Sequence, residues 1–102
     1  MGLAIVLQDE RGTRIDGVED PRNILHRLLP SADDPKSRCL RYVDWYGDTV
    51  FNRWQIVDVL DELRLLVEKA QGDDEKSLLD RIIDLAERCK HEPHLYVKFC
   101  GD

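Results

Sequence analysis

The residues with the clearest chemical potential in this chain lie between Asp44 and Gln55, in the stretch Asp44-Trp45-Tyr46-Gly47-Asp48-Thr49-Val50-Phe51-Asn52-Arg53-Trp54-Gln55. Asp44 and Asp48 could work as a carboxylate pair, one protonated and one ionised, with Asn52 beside them. The same stretch holds both tryptophans, a tyrosine and an arginine. Trp, Tyr and Arg dominate binding surfaces because they join a large contact area to few rotors. Asp44, Trp45, Tyr46, Asp48, Asn52 and Arg53 are therefore the candidate binding residues. Trp45 and Tyr46 flank the Gly47-Asp48 turn and are expected to be exposed. An architectural role competes for the second half of the stretch. Thr49 or Asn52 would cap the following helix, worth roughly 1 kcal/mol, while Phe51 and Trp54 would close the corner between sheet and helix.

Cys89, His91, His94 and Cys100 form a second group, in the order Cys-x-His-x-x-His-x5-Cys. Zinc accepts all four ligands. However, Cys89 falls on an apolar helical stripe, and the CxxC turns of structural zinc sites are absent. His91 reads as a helix C-terminal cation and His94 as the residue before a strand. No metal and no cofactor are expected. No GxSxG, GxxxxGK[ST], GxGxxG or EF-hand spacing occurs, and Ser31, Ser37 and Ser77 fall in loops or at a helix start, so no catalytic residue is assigned.

The elements that must position these residues follow from periodicity. Leu3 to Leu7 is a short apolar run ending in Asp9-Glu10-Arg11-Gly12, which reads as a buried strand, with Thr13 to Asp16 returning as a short second strand. Asp20 caps a short helix with Pro21 in its first turn, Ile24, Leu25, Leu28 and Leu29 on its buried face, and Pro30 as its stop. A solvated loop follows. Arg38 to Val43 then reads as a strand, with Leu40 and Tyr42 on one face. From Trp54 the period becomes helical. Ile56, Leu60, Leu63, Val67 and Ala70 form a stripe widened by Val57, Val59 and Leu66, and Arg64 is spaced to pair with Glu68. Gly72 is expected as a left-handed C-cap, and Asp73 or Asp74 opens a second long helix burying Leu78, Ile82, Leu85, Ala86 and Cys89. Leu95, Val97 and Phe99 alternate as a closing strand. The expected fold is one α+β domain over residues 1–102. It has a three- or four-stranded, mainly antiparallel sheet with the first and last strands central, packed by an antiparallel two-helix hairpin, plus one short helix.

The YGDTVFN segment resembles an aromatic-Gly-Asp-Thr-x-Phe-Asn motif that precedes a helix in a family of small bacterial proteins, and the closing HLYVKFCGD shares in the resemblance. It covers about a fifth of the chain, implies a bacterial source, and carries no activity with it.

Charge narrows the function classes. A net charge of −6, with no run of Lys and Arg, excludes a nucleic-acid binder. The N-terminus lacks a basic leader region, and no apolar run reaches membrane-spanning length. Three cysteines without CxxC spacing read as reduced, buried thiols, so a cytoplasmic setting is expected. The leading expectation is a non-enzymatic cytoplasmic domain that binds a protein partner through the aromatic turn at 44–48. A small enzyme or ligand-binding protein centred on Asp44, Asp48 and Asn52 is the alternative. A further alternative is an immunity-type inhibitor of a basic partner, using the acidic helical face of Asp58, Asp61, Glu62, Asp80, Asp84 and Glu87. An edge strand or an apolar helix face would also permit a homodimer.

Overall fold

In the computed structural model, which describes residues 2–101, the chain folds as four strands and two long helices. Met1 and Asp102, the last residue of the closing phrase, lie outside the described residues. Strand β1 (Ala4–Asp9) turns through Gly12, at φ +83, into β2 (Arg14–Glu19). The Asp9 carboxylate holds this turn by accepting the Arg11 and Thr13 N–H groups, each at 2.9 Å. β2 runs three residues beyond the expected Thr13–Asp16, and the register shifts after Leu7, leaving Ile15 as a bulge. Strand β4 (Leu95–Cys100) pairs with β1 on one side and with β3 (Asp48–Phe51) on the other, giving the fully antiparallel order β2-β1-β4-β3. The first and last strands are central, as their apolar runs require: Ile5, Leu7, Val97 and Phe99 are wholly buried on the helix-facing side.

Helix α1 (Leu25–Leu28) is shorter than its apolar spacing suggests. Asp20 does cap it, accepting the Ile24 and Leu25 N–H groups at 2.8 Å each. The helix opens late because Asn23 takes a left-handed φ of 55°, and it closes early because Leu29, preceding Pro30, is driven to extended backbone. Arg38–Val43 is a correction: it is not a strand but a bend leading into a 3-10 turn at Leu40–Tyr42. The fourth strand lies instead within the Asp44 stretch.

Helices α2 (Ile56–Lys69) and α3 (Asp73–His91) form the expected hairpin, joined through Ala70-Gln71-Gly72. α3 lies across β1, β2 and β4, and α2 packs alongside it. Gly72 is extended, at φ −123, and precedes α3 as its N-cap, so the left-handed C-cap is absent there. Arg64 pairs with Glu87 across the hairpin, and with Asp61 at 4.0 Å, instead of with Glu68. Val57 points outward, while Ile56, Val59, Leu60 and Leu63 are buried. Among the described residues, no helix is long and apolar enough to cross a membrane.

Leu63 is 0% exposed at the centre of this core. Leu63→Ala should therefore lower unfolding free energy by about 2–5 kcal/mol, read by urea titration; an unchanged midpoint would remove Leu63 from the core.

Candidate functional site

The Asp44–Gln55 stretch is held from two directions. The first anchor is Glu62 on α2. Its Oε1 accepts the Ser37 hydroxyl, and its Oε2 accepts the Cys39 N–H at 2.9 Å and the Leu40 N–H at 3.4 Å. Ser37 Oγ in turn accepts the Arg41 N–H at 2.9 Å. One carboxylate thus satisfies the opening N–H groups of the 3-10 turn, which is why this segment cannot form a strand ladder. The second anchor is the end of β4: Gly101 donates its N–H to the Gly47 carbonyl at 2.6 Å. A side chain at Gly101 would not fit, since a Cβ there would stand 2.5 Å from the Trp45 carbonyl oxygen.

Between these anchors the candidate residues separate. Asp44 Oδ1 accepts the Tyr46 N–H at 2.9 Å, and the Asp44 N–H donates to Thr49 Oγ1 at 2.9 Å, so both polar groups serve the turn. Trp45 differs from expectation: it is half-buried against the core and meets His26 edge-on, ring centroids 5.5 Å apart. Tyr46 is 85% exposed. Asn52 and Gln55 form a reciprocal capping box. Asn52 Oδ1 accepts the N–H groups of Trp54 at 3.0 Å and Gln55 at 2.9 Å, while Gln55 Oε1 accepts the Asn52 N–H at 3.0 Å. The Asn52 carbonyl already accepts the Ile56 N–H, so the helical turn opens at Asn52. Thr49 is not the cap.

Phe51 fills the sheet–helix corner, edge-on to Phe99 with centroids 5.8 Å apart. Trp54 does not join it. It stands 76% exposed, with the Arg53 guanidinium 4.9 Å from its ring centroid. The capping box explains this, because it fixes Trp54 in the outward first turn of the helix. Beside it lies an open depression of about 430 Å³ lined by Asn52, Arg53, Trp54, Pro93, His94, Leu95 and Tyr96. Asp44 and Asp48 do not line it. Asp48 lies on the open face of the sheet beside Cys100.

β3 is the outermost strand on its side of the sheet. Gly47 and Gly101 are opposed and hydrogen-bonded, so alternation turns the main-chain groups of Thr49 and Phe51 toward β4 and those of Asp48 and Val50 outward. Val50 is 47% exposed on the open face. Val50 therefore borders an unpaired strand edge, with exposed Tyr46 in the turn before the strand and exposed Trp54 in the turn after it. Sequence reasoning placed Tyr46 and Arg53 here but missed Val50 and the exposure of Trp54. The reciprocal Asn52-x-x-Gln55 spacing was the available signal for the second.

The cysteine-histidine group does not converge. Cys89 is buried and donates to the Leu95 carbonyl, His91 pairs with Glu87 at 3.3 Å, and His94 Nδ1 lies 3.2 Å from Glu10. No cluster of three or more His, Cys, Asp or Glu suited to a metal occurs among the described residues. On the acidic helical face, Glu62 is committed to the 3-10 turn, Asp58 pairs with Arg38 at 3.6 Å, and Glu87 takes Arg64. Comparison with protein-family models, curated proteins and solved structures finds no match to this chain, so the functional reading rests on geometry.

Glu62→Ala should cost about 2–4 kcal/mol, since three donors lose their acceptor, whereas the adjacent exposed Asp61→Ala should stay within about 0.5 kcal/mol. Equal effects of the two changes in denaturant titrations would remove Glu62 from its anchoring role. The thiols supply a chemical check. Burial, with Glu62 and Asp58 adding to it, pushes the Cys39 thiol up to about 11, burial alone pushes Cys89 up to about 11, and Cys100 is also raised. At pH 8 the two buried groups remain neutral thiols, and only the half-buried Cys100 should react with a disulfide reagent, slowly. Denaturation should release all three, and rapid native titration of Cys39 or Cys89 would contradict their burial.

Proposed function

We propose that this protein is a non-enzymatic cytoplasmic interaction domain whose contact surface is the outer edge of β3. The observation that carries the reading is the pair of large exposed aromatics in the turns on either side of that strand, Tyr46 at 85% and Trp54 at 76% exposure. Each aromatic ring left in water forgoes substantial apolar burial, and a partner recovers it on contact. Val50 adds an apolar contact between them, and Arg53, already stacked on Trp54, supplies a directed cation. Trp45 is packed against the core and lies outside the patch.

The enzymatic alternative finds less support. The Asp44 carboxylate and the Asn52 side chain are occupied by backbone N–H groups, and the depression next to Asn52 offers no carboxylate from Asp44 or Asp48.

Photo-crosslinking in the native host tests the proposal. Benzoylphenylalanine replacing Tyr46 or Trp54 should give a discrete adduct that the same group at exposed Leu65 does not give. Adducts absent at both edge positions, or identical at Leu65, would overturn it.

A further inference from the structure

The two edges of the sheet are treated differently. The β2 edge is guarded: its register shifts at the Ile15 bulge, the Arg14 side chain folds over Gly17, and Asp16 is paired with Arg88 at 3.4 Å. Such devices keep an edge strand from templating another chain. β3, four residues long, has no bulge, folded arginine or ion pair of this kind. Its pairing with β4 is regular from Asp48 to Phe51, and it contains no proline, lysine or bulge.

Around Val50 the chain is close to self-complementary. Tyr46 lies four residues before it and Trp54 four after; Asp48 lies two before it and Arg53 three after. Neither Asp48 nor Arg53 takes part in an ion pair among the described residues. We infer that β3 pairs antiparallel with β3 of a second copy of this chain, about a two-fold axis at Val50, so that the partner of the contact surface is the protein itself. The inference rests on the proposed interaction role and names its occupant.

In this register the two Val50 residues face each other and exchange two main-chain hydrogen bonds through their outward N–H and C=O groups, forming a β-branched cross-strand pair on the open face. Asp48 of each copy falls beside Asn52-Arg53 of the other, so a carboxylate outside any ion pair meets the guanidinium that stacks on Trp54, and the two-fold axis makes the contact twice. Each Tyr46 falls toward Trp54 of the other copy. The neighbouring register, centred on Thr49, would form four main-chain bonds. It would also press the Asp48 carboxylate against the Val50 isopropyl group and carry Arg53 past its counter-charge, so it is the poorer fit. A contact confined to one short strand and its flanking rings falls below the roughly 800 Å² per partner of stable complexes, and each chain brings a charge of −6. The dimer should therefore be weak and concentration-dependent, with a Kd of roughly 10–100 μM.

Sedimentation equilibrium of the purified chain across that concentration range tests it. Wild type should pass from monomer to dimer. Val50→Pro removes an outward N–H without touching the internal ladder, and it should remain monomeric with its circular dichroism unchanged. Asp48→Arg and Arg53→Asp should each weaken the dimer at least fivefold, and the double change should restore it to within about threefold of wild type; this decides the matter even if the proline variant fails to fold. A wild type that is monomeric throughout, a dimer indifferent to Val50→Pro, or single charge reversals without effect would overturn the pairing. If the chain is monomeric while crosslinking at 46 and 54 captures a different protein, self-pairing fails and the interaction reading stands. If neither adduct forms, both fail.

Discussion

One carboxylate holds together the half of the molecule that carries the candidate site. Glu62 reaches from α2 to three donors on the segment after α1, and this fixes a 3-10 turn where a strand would otherwise read well. The turn delivers the chain to Asp44 at a defined angle. Asp44 then closes its own turn, and β3 begins beside the last strand. Without Glu62 those N–H groups would need another acceptor, and an unsatisfied buried donor costs about 1–3 kcal/mol. The position of the exposed aromatics is therefore set by a residue that touches neither of them.

The same economy explains why the polar residues of the Asp44 stretch are poor candidates for chemistry. Asp44, Thr49, Asn52 and Gln55 each accept a backbone N–H within a few residues of their own position. Short polar side chains in turns compete for local main-chain groups, which gives a turn and a helix start their shape. Outside these local backbone bonds stand Tyr46, Val50, Trp54 and the oppositely charged Asp48 and Arg53. A surface of that composition beside an unpaired strand edge is suited to contact with another polypeptide, where main-chain bonds supply affinity and flanking rings supply register.

The two-layer architecture adds a further constraint. α3 covers β1, β2 and β4 from one side, and β3, at the margin, is held by its ladder with β4, by Phe51 in the sheet–helix corner and by the Gly47–Gly101 clamp. An edge strand held this way keeps its geometry without being covered. The opposite edge, at β2, carries a bulge, a folded arginine and an ion pair. The contrast is what favours the β3 edge as the proposed contact surface.

Much of this was legible in the residues alone. The apolar runs at Leu3–Leu7 and Leu95–Phe99 required central strands, and the helical stripes from Ile56 and from Leu78 required a hairpin across one face, because period and burial are local properties of the chain. Asp20 and Asn52 were readable as caps for the same reason: a cap acts within four or five residues. Arg38–Val43 was not legible, since its state depends on Glu62, more than twenty residues away. Nor was the opposite fate of the two tryptophans. Trp45 is drawn inward by His26 and by the close approach of Gly101, while Trp54 is held outward by the first turn of α2. Periodicity determines which elements form and which face is apolar. Only the tertiary arrangement decides which neighbour reaches a given side chain or N–H group, because those contacts join segments that share no sequence pattern.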